Sequence, residues 1–139
     1  MREVMLTIHF LGLAMGLGTC FAFLFLGIAG SKMEKEAGKK YTLDTFTLIR
    51  MGHIGLTLSI ISGLYLMTPY WESLAARPLL IAKLAFVLVL TTSISLISVY
   101  ARRAKSGETE ANLRKIANHV KIAFISGILI VTLAVLVFR

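Results

Sequence analysis

Residues 49–67 read IRMGHIGLTLSIISGLYLM: after Arg50 the only strongly polar side chain is one imidazole, His53, among apolar and small residues. A run of this length and character fits a helix crossing a bilayer whose hydrocarbon core is about 30 Å thick. Three further runs match it, at residues 4–30, 78–100 and 116–138, in a chain of 139 residues that is 57% hydrophobic. Four such helices consume almost the whole chain, so the expected architecture is one domain, residues 1–139. The fold class is all-α, an integral membrane four-helix up-down bundle with helices 1 and 3 antiparallel to helices 2 and 4.

The boundaries follow from local chemistry. The segment SKMEKEAGKKYTLDTF reads as a loop with four lysines, and Asp44 or Thr45 is placed to cap helix 2, residues 46–68. That helix stops at Pro69. Tyr70 and Trp71 follow, amphipathic rings of the type that settle at a membrane interface. Pro78 suits the first turn of helix 3. ARRAKSGETEANLRK is a polar connection whose second half leads into helix 4. The first run is too long for a signal-peptide core of about 7 to 15 residues. Leu17-Gly18-Thr19-Cys20 resembles a lipoprotein cleavage box, but Thr19 stands where Gly or Ala is required, so helix 1 is expected to be kept. Cys20 is the single cysteine and reads as a small packing residue.

A net charge of +8 in a soluble protein would point to nucleic acid. Here the cations fall in two loops. Lys32, Lys35, Lys39, Lys40, Arg50, Arg102, Arg103, Lys105, Arg114, Lys115 and Lys121 lie at one end, eleven in all, against Arg2, Arg77 and Arg139 at the other. That asymmetry sets orientation in a membrane, so no nucleic-acid partner is expected; both termini are expected on the non-cytoplasmic side and the basic loops in the cytoplasm of a bacterial or archaeal cell.

Depth then follows from about 1.5 Å of rise per residue. His9 and Lys83 each lie about 8 Å below the sparsely charged surface, on helices 1 and 3. His53 and His119 enter from the basic end, on helices 2 and 4, at about 10 and 5 Å. His9 is too far along the bundle axis to share a metal ion with either. The four residues therefore form two level pairs. An intramembrane histidine often only ties two helices with a hydrogen bond, worth about 0.6 kcal/mol. Three histidines and a lysine, one on each helix, exceed that need, because ionisable groups in a bilayer are costly and mark sites.

Neutral imidazoles are common axial ligands of haem iron, and two of them suit electron transfer. His53, His119 and His9 are thus candidate metal ligands, and with Lys83 they are the candidate cofactor-binding residues for one or two haem b groups. Arg50, Lys115 and Lys121 share the level of His53 and His119, where haem propionates would pair with cations, but they are read first as orientation residues. Gly12 and Gly16 follow His9 on its own face in a GLAMG segment, and Gly52, Gly55, Ser59 and Ser62 form a small-residue stripe beside His53. Such stripes serve close helix packing, within the chain or in a homo-oligomer.

With His9 early in helix 1, Lys83 in LLIAKLAFVLVL early in helix 3, and KIAN at 115–118 opening helix 4, the sequence resembles the HemJ-type protoporphyrinogen oxidases and the wider CopD-like membrane proteins. The resemblance implies a small haem b protein that oxidises protoporphyrinogen IX, with His9 as a haem ligand and Lys83 as a partner in ligation or in gripping a porphyrin carboxylate. The chain departs from that pattern in two places. Helix 1 has no tryptophan, and Asn118 is followed by His119 where the family has Glu and then Pro.

The leading expectation is therefore a membrane-embedded b-type haem protein for electron transfer, with His53 and His119 on one iron and His9 with Lys83 as a second haem site or a pocket for a quinone or porphyrinogen. Whether it is an enzyme is left open, an oxidoreductase of the protoporphyrinogen oxidase kind being the form it would take. The alternatives are a small metal or proton transporter subunit and a structural subunit of a larger membrane complex. A copper role ranks lower, since the six methionines form no regular ladder.

Overall fold

The structure is a computed structural model that describes residues 1–107 and 109–138, the side chain of Phe138 excepted; Arg139, counted above among the cations of the sparsely charged end, lies outside the described residues. It is helical throughout: α1 Arg2–Ser31, α2 Lys35–Asp44, α3 Thr47–Met67, α4 Pro78–Ser106 and α5 Thr109–Phe138, with two short 3-10 turns, Thr68–Tyr70 and Leu74–Ala76, between α3 and α4. Among the described residues, four helices are long and apolar enough to cross a membrane.

Their outer faces carry exposed Phe10, Phe25, Ile61, Leu88, Ile125 and Val135. In the most apolar window of each helix only 17 to 28% of residues are buried within the chain, so most of the apolar surface is left for lipid rather than for a protein core.

The helices associate as two tight pairs. In the first, α1 and α3 run antiparallel and approach until backbones touch. A Cβ added at Gly12 would lie 2.7 Å from the carbonyl oxygen of Gly55, and one at Gly55 would lie 2.7 Å from the nitrogen of Gly16. Only glycine permits this, which is the use of small-residue stripes in membranes. A Cβ at Gly16 itself would meet nothing within 4 Å. The GLAMG segment is thus absorbed by packing within the chain.

The second pair, α4 with α5, is zipped by larger residues. Ile97, Ala101 and Ala104 of α4 pack with Ile116 and Val120 of α5, and Phe46 closes the cluster from the start of α3. The two pairs meet through α1 against α5 and α3 against α4, leaving α1 and α4, like α3 and α5, across the bundle from one another.

Three boundaries differ from expectation. The segment expected to be a loop contains α2, which folds back because Gly38 sits against Gly30: a Cβ at Gly38 would lie 2.7 Å from the Gly30 carbonyl oxygen. Its lysines Lys35 and Lys39 reach Glu110 of α5 at 2.8 and 3.0 Å, tying α2 to the far helix pair. Neither Asp44 nor Thr45 caps the next helix. Asp44 is the last residue of α2, and the Thr45 hydroxyl donates back to the Thr42 carbonyl. Finally, α4 runs on to Ser106 and α5 starts at Thr109, and Gly107 after α4 has a φ of +152°, a conformation that essentially only glycine adopts.

Candidate functional site

His9 projects from α1 onto the Ser59, Ser62 and Gly63 face of α3. Its Nδ1 lies 3.0 Å from the Ser59 carbonyl oxygen and 3.1 Å from the Ser62 hydroxyl. The Ser62 hydroxyl spends its own hydrogen on the Leu58 carbonyl, one turn back in α3, so it meets Nδ1 as an acceptor. With acceptors on both contacts, Nδ1 carries the proton. The nitrogen that remains for a ligand is Nε2, with its lone pair.

The ring fits here because Gly63 has no side chain, a Cβ at that position lying 3.2 Å from Cε1 of the imidazole. Lys83 of α4, half-buried, comes within electrostatic reach of the same imidazole from across the bundle. His9 and Lys83 thus lie toward the same end of the bundle.

Beside them is an orphan. Among the described residues, Ser59 Oγ is the one buried side-chain polar atom without a hydrogen-bond partner. Other hydroxyls in these helices, among them Thr57, Thr91, Thr92, Ser95 and Thr132, donate to the carbonyl four residues back. Ser59 does not, and an unpaired buried hydroxyl costs about 1–3 kcal/mol. The His9 end of the bundle therefore holds a hydrogen-bonded imidazole, a half-buried lysine and an unsatisfied hydroxyl.

The other pair behaves differently. His53 Nε2 hydrogen-bonds the hydroxyl of Ser98 in α4. His119 donates from Nδ1 to the carbonyl oxygen of Lys115, at 2.8 Å, and its ring lies 5.4 Å from that of Tyr100 in α4. Positions 98 and 100 are about 200° apart around a helix. His53 therefore sits in the seam of α3 with α4 and His119 in the seam of α4 with α5, on opposite flanks of α4.

The space between those flanks is closely packed. The interior there is a cavity of about 20 Å³, lined by Gly52 and Ile49 of α3, Ile94 and Ile97 of α4, Val120 and Ala123 of α5, and residues of α1 that include Cys20. That is room for about one water, whereas a bound organic ligand needs roughly 300 Å³ or more. His53 and His119 thus lie in different helix seams and share no cavity of that size in this packing. Among the described residues, no three His, Cys, Asp or Glu side chains gather around a common point.

Sequence reasoning assigned Ser59 and Ser62 to a stripe beside His53 and missed them as the partners of His9. The antiparallel register of the glycines was the signal: it sets Gly12 against Gly55, and so His9 against residues 59–63. Ser98 and Tyr100 carried no comparable signal.

The fold and site define an all-α bundle of membrane-spanning character with a histidine–lysine pair inside one end. No protein-family model, no curated protein and no solved structure matches the chain.

Proposed function

We propose that the chain is an integral membrane b-type haem protein for electron transfer with a lipid-soluble partner, a porphyrinogen or a quinol, and that its working end is the His9–Lys83 pair. The observation that carries this reading is the commitment of His9 Nδ1 to the Ser59 carbonyl and the Ser62 hydroxyl. A metal-ligating histidine almost always donates its second ring nitrogen to such an acceptor, which fixes the ring and raises the basicity of the ligating nitrogen. In this reading His9 presents Nε2 to iron.

Lys83 supports the same assignment. It lies at the end poor in cations, so membrane orientation gives no reason for it, and a lysine inside a span marks a functional site. Its ammonium is suited to hold a porphyrin carboxylate by a charge-assisted hydrogen bond. When bound, haem supplies one-electron redox chemistry at its iron. The residues of the chain would contribute ligation and carboxylate pairing.

The resemblance to the HemJ-type oxidases favours this pair too, since His9 and Lys83 are the two ionisable positions it rests on; the activity it implies is oxidation of protoporphyrinogen IX. His53 and His119 are given no metal in this proposal. The basic loops face the cytoplasm and both termini the opposite side of a bacterial or archaeal plasma membrane, following the distribution of cations.

The test is an absorbance spectrum of detergent-purified protein expressed with ample haem, oxidised and then reduced with dithionite. A Soret band that shifts on reduction, with α and β bands emerging, is the expected result. A colourless protein contradicts the proposal.

A further inference from the structure

We infer that a side cleft between α1 and α5, at the basic-loop end, is a binding site for an anionic phospholipid of the phosphatidylglycerol type. The inference shares with the proposed function only the premise that the helices span a bilayer.

The cleft exists because α1 is drawn onto α3 by glycines while α5 is zipped to α4, so the two pairs part where α1 and α5 should meet. Its volume is about 270 Å³. Phe23, Phe46, Ile116 and Val120 line it, and Gly27, Ile28, Ala117 and Lys121 on its lining are exposed, so it opens sideways. Further along the helices the gap closes, with Phe21 of α1 meeting Phe124 of α5 edge to face at 4.9 Å. At the loop end α2 forms the roof, held over α5 by the Lys35 and Lys39 contacts to Glu110.

The lining chemistry selects the occupant. Among the described residues, Lys121 is the only charged one lining the cleft. Lys121 is exposed, at the open edge of the cleft. Ser31, Thr42 and Thr45 also line the cleft. Each hydroxyl donates its hydrogen to a carbonyl of its own helix, of Ile28, Gly38 and Thr42 respectively. What they present is acceptor lone pairs.

One cation and a set of acceptors match a headgroup that combines a phosphate anion with hydroxyl donors. They do not match a quaternary ammonium, which has no hydrogen to donate and repels Lys121. Basic pockets between spanning helices are known as anionic-lipid sites. The volume suits the glycerol backbone and the top of one acyl chain, with the remaining length running over the exposed apolar faces.

Native mass spectrometry of the detergent-purified full chain, titrated with phosphatidylglycerol and separately with phosphatidylcholine, tests this. A one-to-one phosphatidylglycerol adduct is expected to survive where phosphatidylcholine does not. Lys121→Gln should lower its retention about fivefold, the effect of one lysine on an anionic lipid near a membrane surface. A Cβ at Gly27 meets nothing within 4 Å, so Gly27→Leu enters open space and should abolish the adduct by filling the cleft while the melting temperature holds. Equal retention of both lipids, or retention unchanged in Gly27→Leu, means surface lipid only and overturns the inference. Both results are independent of whether the protein binds haem.

Discussion

The imidazole Nδ1 of His9 lies 3.0 Å from the backbone carbonyl oxygen of Ser59, a bond between α1 and α3 that commits Nδ1 as the donor and leaves Nε2 uncommitted. It forms because glycines bring the two backbones together and because Gly63 leaves space for the ring. Packing and site are thus one construction: the seam that holds α1 to α3 is also what orients His9.

That seam makes the two glycines of GLAMG unequal. Gly12→Ala puts a Cβ 2.5 Å from Ser59 Oγ and 2.7 Å from the Gly55 carbonyl, and the overpacking should cost about 1–3 kcal/mol. Gly16→Ala meets nothing and should be close to neutral. Unfolding of the two variants in detergent, followed by circular dichroism, compares them directly; equal losses would mean that the seam is not closed at Gly12.

His53 is the polar tie of the α3–α4 seam through Ser98. His53→Ala should therefore lower stability by roughly 0.6 kcal/mol, the average worth of one interhelical hydrogen bond in a membrane, and Ser98→Ala by a similar amount. The double variant should lose little more than either single one. Fully additive losses in that cycle would show that the two side chains do not interact.

Glu110 draws Lys35 and Lys39 of α2 onto the start of α5, and all three groups are reached by solvent. Exposed pairs of this kind are weak and screened by salt. Glu110→Gln should speed tryptic cleavage within residues 32–40 and leave the melting temperature unchanged, and about 0.5 M salt should reproduce the effect in the unaltered protein, a concentration at which charge pairs are screened within a few ångströms. Cleavage indifferent to both changes would show that α2 is held by other contacts.

The sequence reveals the four spanning helices because each apolar run is long and unbroken, a property that needs no partner to be read. It hides α2. KEAGKKYTLD is polar with a glycine at its centre, and it is helical here because Gly38 finds Gly30 and the lysines find Glu110, contacts made between distant parts of the chain. The same divide runs through the site. Depth along a helix accumulates in steps of about 1.5 Å, so the common level of His9 and Lys83 survives small errors in helix ends. Azimuth turns by about 100° per residue, and the partition of His53 and His119 to opposite flanks of α4 depends on it.

Histidine variants of the detergent-purified protein, expressed with ample haem and compared by reduced-minus-oxidised absorbance, decide where the site lies. His9→Ala should lose the haem signal, while His53→Ala and His119→Ala should retain it. A signal that survives His9→Ala and disappears in His53→Ala or His119→Ala would contradict the assignment of the site to the His9–Lys83 end.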